Sequence, residues 1–330
     1  MRCRHKIVLT SALACSLLTS AVVVGQGAAG PNESGNTKLI EPPDVYVLVM
    51  LVHAELDLIR VELGKPVNRQ ADLRVEEAAP RDVYFQAVTM FRKAERFCYE
   101  QTREHNEIPE IPNRDLLPAD VYEMVDGALL RIRCVKHRLN TPERAVGIER
   151  DDSKTPTDVF KAIVQANRTL NILMQKKFSP SDVYQEVTLA IGYGAKLLEE
   201  FPGTTRIPDD PTFERKKKPS DVYERLVRCS RKLRKIAESS GLKMIELAED
   251  EETASVAQPS DVYDIASLVV AQLVHLQNQI VDSTPPRAVF NPGLKIPSDV
   301  YQRVGILEAQ LDQLESESSN NPDWLKTGKN

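Results

Sequence analysis

Pro180-Ser181-Asp182-Val183-Tyr184 decides how this chain is read, because it recurs. Copies begin at Pro42, Pro80, Pro118, Pro156, Pro180, Pro219, Pro259 and Pro297. Each reads Pro-x-Asp-Val-Tyr, and Phe160 is the single replacement for Tyr. The pentapeptide has the chemistry of a helix start. Proline suits the first helical position, where its missing N–H would have had no partner and its fixed φ already fits. Aspartate then falls at the third position, where its charge faces the positive end of the helix dipole and its oxygens can accept from free backbone N–H groups.

The residues after each start have a helical period. Counting from Asp as zero, apolar or small residues recur at offsets 1, 5, 8, 12 and 15. The first copy has Val45, Val49, Val52, Leu56 and Ile59, and the last has Val300, Val304, Leu307, Leu311 and Leu314. Gly194 is the weakest member of the pattern. Alternating steps of four and three average about 3.5 residues, the seam of helices that pack at shallow angles in left-handed bundles. Nothing alternates with period two. Charged residues at 28% and aromatics at 5% also favour an all-α protein.

Asp-to-Asp spacings are 38, 38, 38, 24, 39, 40 and 38. The short step divides the chain into two sets of four helices, and it predicts that the fourth helix turns directly into the fifth. The linkers support a duplication. Thr141-Pro142-Glu143-Arg144-Ala145-Val146 comes after the third helix, and Thr284-Pro285-Pro286-Arg287-Ala288-Val289 after the seventh. The expected architecture is therefore all-α, with eight repeated amphipathic helices forming two tandem four-helix modules, residues 42–178 and 180–316. Residues 317–330, carrying Trp324, read as a loosely docked tail.

The other linkers are long and rich in proline. A helix of about 22 residues spans roughly 33 Å, whereas about sixteen extended residues reach roughly 50 Å. Such a linker can run back along its helix, which favours parallel helices joined by extended return segments. Leu73, Val75, Ile108, Ile111, Val146, Ile148, Val289 and Phe290 would pin these segments to the bundle. The rival is an antiparallel array whose linkers contain short helices, with Leu242–Glu249 the candidate segment.

The N-terminus reads as an export signal. Arg2, Arg4 and Lys6 precede an apolar run from Ile7 to about Val24, and small residues come next. Residues 1–29 are expected to be a cleaved signal peptide and 30–41 a flexible leader. Cys15 after Ala12-Leu13-Ala14 resembles a lipoprotein box, but the apolar run continues well past it. The expected location is the bacterial periplasm or the medium. That setting permits disulfides. Cys98 and Cys134 fall at offsets 16 and 14 of consecutive helices, so a bridge is within reach only if those helices run parallel. Cys229 falls on the seam and reads as a buried small hydrophobe.

The repeated polar and aromatic residues are the candidate site. They are Asp44, Asp82, Asp120, Asp158, Asp182, Asp221, Asp261 and Asp299, with Tyr46, Tyr84, Tyr122, Phe160, Tyr184, Tyr223, Tyr263 and Tyr301. Parallel helices would gather four of each at one end of a module, where they could bind a cation, a sugar or a peptide. The structural alternative weighs more: Asp starts the helix, and Tyr covers the bundle end with its hydroxyl in water. His53, His105, His137 and His275 show no metal spacing, and no Ser-His-Asp or Cys-His arrangement can be assembled. Gly192-Tyr193-Gly194 lies inside a helix, where it allows close packing and is no phosphate loop. Basic residues from Arg215 to Lys235 surround the sixth helix, and they read as a solvated face balanced by Glu246, Glu249, Asp250, Glu251 and Glu252. A net charge of −5 argues against a general nucleic-acid binder.

The expectation is an exported, non-catalytic scaffold or protein-interaction module with no cofactor and no metal. Its partner would be another protein or a component of the cell envelope. The alternative is a periplasmic small-ligand or metal binder using the groove between modules or the Asp/Tyr helix starts.

Overall fold

In a computed structural model of the chain, residues 39–325 are described, apart from 104–108, 110, 111, 113, 144, 249, 250, 281, 282 and 288. The signal peptide, most of the leader, Cys3, Cys15, His105, Ile108, Ile111, Glu249 and Asp250 lie outside the described residues. From Leu39 onward the chain forms one unit.

Every copy of the pentapeptide starts a helix. In chain order these are α1 (Pro42–Glu62), α2 (Pro80–Thr102), α3 (Pro118–Arg138), α4 (Pro156–Leu173), α5 (Pro180–Leu198), α6 (Pro219–Ser239), α8 (Pro259–Gln277) and α9 (Pro297–Asn320). A short α7 (Glu251–Ser255) and the two-residue strands β1 (Val75–Glu76) and β2 (Glu246–Leu247) lie in linkers. The protein is all-α in class. None of the described helices is long and apolar enough to cross a membrane.

The apolar seam forms the core. Val49, Val52, Leu56, Ile59, Leu170, Val304, Leu307 and Leu311 are completely or almost completely buried. α1 packs against α3 and α4, and so does α2, which closes a ring in the order α1, α3, α2, α4. α5 and α6 each pack against α8 and α9, closing a second ring in the equivalent order. In the first ring α1 and α2 therefore sit diagonally, and so do α3 and α4.

Pro42, Pro80, Pro118 and Pro156 line one small cavity with the valines three residues after each. Pro180, Pro219, Pro259 and Pro297 line another in the same way. Four starts meeting at one end means that the four helices of each ring run parallel. α8 runs against the first ring, because its beginning (Asp261, Asp264) meets Arg168 of α4 while its end (His275) meets Arg81 at the start of α2. β1 and β2 join the two rings as an antiparallel pair, with Val75 opposite Leu247 and Glu76 opposite Glu246.

Several expectations need correction. α4 does not run directly into α5, since residues 174–179 connect them. The segment Leu242–Glu249 contains strand β2, and the short helix of that linker comes after it at Glu251–Ser255. Leu73 and Val75 are buried, but Val146, Ile148, Val289 and Phe290 are exposed. They stay outside the core, to which other linker residues such as Leu73, Val75, Ile245 and Leu247 contribute. The described part of the expected tail, through Leu325, is not loosely docked. Trp324 is buried against Phe201 with ring centroids 5.2 Å apart, and its indole N–H donates to Ser240 Oγ at 2.8 Å. α9 itself continues four residues beyond Ser316.

Candidate functional site

The eight aspartates share one job. The backbone N–H preceding each helix donates to the Asp carboxylate three residues on. The distances are 3.0 Å for Asp44, 2.8 Å for Asp82 and Asp120, 2.9 Å for Asp158, 2.8 Å for Asp182, 2.6 Å for Asp221, 2.7 Å for Asp261 and 2.8 Å for Asp299. This is the backward half of a capping box. At α4 and α5 the forward half is present too, because Thr155 Oγ1 and Ser179 Oγ accept from the Asp N–H at 3.3 and 3.4 Å. Parallel packing puts four positive dipole ends side by side, which would repel. A carboxylate on each offsets that by roughly 0.3–1 kcal/mol per helix where exposed.

The carboxylates do not converge. What meets at the centre of each end is proline and valine around a cavity of about 10 Å³. That is room for one water at most, and the lining is apolar, so it stays dry. Individual environments differ. The Arg114 guanidinium donates two hydrogen bonds to Asp120, at 2.8 and 2.5 Å, and holds that carboxyl below the usual range. Burial pushes Asp82 up to about 6.

The tyrosines do not uniformly keep their hydroxyls in water. Tyr84 and Tyr223 are buried, as is Phe160, while Tyr46, Tyr122, Tyr184, Tyr263 and Tyr301 are half-buried against the core. A rule links several of them that the sequence alone did not reveal. The residue two positions before a start proline covers the ring of the next helix round. Lys154 lies over Tyr46 (5.0 Å), Lys217 over Tyr301 (4.1 Å) and Lys295 over Tyr184 (4.7 Å), and Phe178 stacks on Tyr263 (4.2 Å). The backbone N–H at that same position donates to the hydroxyl between Pro and Asp of the neighbouring motif. Ala78 reaches Thr157 at 3.1 Å, Lys217 reaches Ser298 at 3.1 Å, and Lys295 reaches Ser181 at 3.0 Å. The Ser/Thr of the motif thus clamps its neighbour's lead-in. The signal was present in the sequence, as lysine two residues ahead of Pro156, Pro219 and Pro297, but it acquires meaning only when the neighbour order is known.

Between the rings lies a buried charged seam. Arg168 Nε bonds Asp264 Oδ2 at 2.8 Å, and its Nη1 donates to Ala71 O at 2.7 Å. Gln70 Nε2 donates to Ser260 Oγ and Asp261 Oδ1, both at 2.8 Å. Burial pushes the Asp264 carboxyl up and pulls the Lys93 amine down to about 8. Tyr263 donates to Glu186 at 2.8 Å, and burial together with that carboxylate pushes its hydroxyl up. The lowered Lys93 pKa ties stability to pH. The folded state binds fewer protons than the unfolded chain between about 8 and the ordinary lysine value, so its cost is full below pH 8 and disappears as pH rises through that window. Lys93→Met is expected to raise neutral-pH stability relative to pH 10 and to flatten that alkaline rise. Urea unfolding of both proteins between pH 7 and 10 checks it, and parallel pH curves would refute it.

The basic cluster around α6 is largely paired, mostly by a partner that carries no sequence signal. Arg225, Arg228 and Lys232 meet Glu308 of α9 at 2.7, 3.3 and 3.7 Å. Arg234 meets Glu77 at 2.9 Å and Glu238 at 2.7 Å, and it also pairs with Glu246. The sulfurs of Cys98 and Cys134 are in contact across α2 and α3, with Cα atoms 6.2 Å apart, inside the span a disulfide needs. Cys229 is buried, and burial pushes its thiol up to about 12. Among the described residues no group of three or more His, Cys, Asp or Glu side chains could hold a metal ion.

One open groove of about 420 Å³ lies between α1 and α4, bordered by Met50, His53, Asp57, Arg60, Val146 and Ile148. His53 Nε2 meets Ala162 O at 2.9 Å, and burial holds the ring below its usual pKa. A neutral ring donating through Nε2 leaves Nδ1 as an acceptor. Asp57 and Arg60 pair with each other at 2.7 Å.

No protein-family model matches this chain, and no curated protein or solved structure matches it either.

Proposed function

We propose that residues 42–178 and 180–316 are two tandem four-helix repeat modules, joined internally by long Pro-rich linkers and derived from one duplicated unit. In this reading residues 1–29 are a signal peptide, the mature chain works in the periplasm or outside the cell, and it is a non-catalytic scaffold that binds a protein or cell-envelope partner. The observation that carries the scaffold role is the placement of apolar side chains. The helices bury their seams completely, yet the linker after α8 leaves Val289, Phe290, Leu294 and Ile296 in solvent, Phe290 at 79% and Leu294 at 97% exposure. Exposed apolar groups held close along one linker are what a partner would cover. The Asp/Tyr helix starts support the ligand-binding alternative poorly, since each carboxylate is engaged by its own N-cap and proline closes the centre.

The test is a paired one. Phe290→Ser with Leu294→Ser alters no buried residue, so the fold and melting temperature should hold. The wild-type chain, cross-linked in the exported fraction, is expected to recover a partner that the double variant loses. A wild-type chain that stays a monomer with no cross-linked species, or identical species from both proteins, would overturn the reading.

A further inference from the structure

The second ring grips its own linkers through side-chain amides. Gln185 of α5 donates to Asn291 O at 2.8 Å and accepts from Asn291 N–H at 3.4 Å. Gln302 and Gln310 of α9 donate to Pro211 O at 2.7 Å and Arg206 O at 2.6 Å. Gln313, in the amide orientation that satisfies both groups, pairs with Thr205 O and N at 2.9 and 3.1 Å. Extended backbone is therefore laid across the face of α5 and α9. It lies close there because Gly192 has no side chain: a Cβ at that position would come within 3.0 Å of Pro286.

The corresponding face of the first ring is the α1/α4 groove. Counted from the motif aspartates, Ala54 replaces Gly192, Val47 replaces Gln185, Thr169 replaces Gln310 and Ile172 replaces Gln313. The amides that hold backbone in the second ring are gone, and Ala54 and Thr169 line open space. Amide chemistry persists at the edge instead. Asn68 Nδ2 donates to Gln165 Oε1 at 2.7 Å, and Gln165 in turn bonds Asp72. Each carboxamide has a second N–H to offer. Charge within the groove is balanced by the Asp57–Arg60 pair, and His53 is neutral.

We propose that this groove binds an uncharged, extended peptide segment, laid between α1, α4 and the first ring's own linkers, which lack the amide grips that hold their second-ring counterparts down. The backbone amides would meet Asn68 and Gln165, and small apolar side chains would lie against Val67, Val146 and Ile148. The groove runs beside α1 from Met50 to Arg60, a rise of about 15 Å, which matches about four or five residues of extended chain. Its volume falls within the ordinary range for ligand sites of roughly 300–1,000 Å³.

The test uses a capped pentapeptide of alternating Val and Ser, and the same peptide with Asp in place of Val. Saturation-transfer NMR on the mature chain is expected to detect the first and not the second. Thr169→Gln lengthens a side chain that lines the groove, and Leu56 stands where Gly194 makes room for Gln310, so the longer chain stays in the groove and should abolish the signal at an unchanged melting temperature. Asn68→Ala with Gln165→Ala keeps the groove open and should weaken binding about tenfold, the effect of one or two lost hydrogen bonds. No transfer from the wild-type chain, equal transfer from Thr169→Gln, or binding of octanoate or glucose in place of the peptide would overturn the proposal. Peptide binding that survives Phe290→Ser with Leu294→Ser separates this site from the linker surface of the scaffold reading, so either can fail alone.

Discussion

Arg168→Ala is expected to remove about 3–5 kcal/mol of unfolding free energy. The reason is what it leaves behind. Arg168 is buried, and its guanidinium bonds Asp264 at 2.8 Å, lies 3.8 Å from Asp261 and donates to Ala71 O at 2.7 Å. Removing it strands the Asp264 carboxyl, already pushed up by burial, and orphans a linker carbonyl. The other cation acting on Asp264 is Lys93, itself desolvated. An ion pair in such a place contributes little net stability, but half of one is costly. Arg168→Met combined with Asp264→Leu and Lys93→Met, which leaves neither partner stranded, should therefore recover most of the loss. Urea unfolding of the three proteins decides the matter. A loss below about 1 kcal/mol for the single variant would mean that water reaches the pair.

The second large effect concerns Cys98 and Cys134. Their separation of 36 residues gives a chain-entropy contribution of about 4 kcal/mol for the bridge, and measured values for such links run about 2–4 kcal/mol. Mature protein recovered from an oxidising compartment is expected to carry one bridge and one thiol, the latter being Cys229. Reduction with alkylation, or Cys98→Ser, should lower the unfolding free energy by that amount, whereas Cys229→Ala should cost only what a small cavity costs. Three alkylatable thiols in the unfolded mature chain would refute the bridge and weaken the case for export.

Much of the fold was legible because its signals are local. Pro42 and Asp44 need only their own helix to act, and the burial of Val49, Val52 and Leu56 reflects a period any single helix displays. The linkers are harder to read. Val146 and Phe290 are apolar, which predicts that they pin their segments, yet they stay exposed, because the seam was already full. Trp324 has the sequence context of a loose end, although its ring and N–H both find partners far away along the chain. The groove was invisible for the same kind of reason. His53, Asn68, Val146 and Gln165 come from four separate segments, and none carries a motif.

The chain's own order of residues settles where helices begin, how long they run and which stripe they hide, since these depend on contacts within a few residues. It also settles that the starts are alike, and so that one cap serves all eight helices. The linker lengths favour parallel helices within each ring, but the ring order α1, α3, α2, α4 and the opposed packing of α8 against the first ring arise otherwise. They depend on which distant surfaces fit and which buried charges meet, as Arg168 meets Asp264 from 96 residues away. A repeat presents the same seam each time, so its pattern cannot say which copy sits beside which. The departures from the repeat, Ala54 for Gly192 and Thr169 for Gln310, are what make the two rings different.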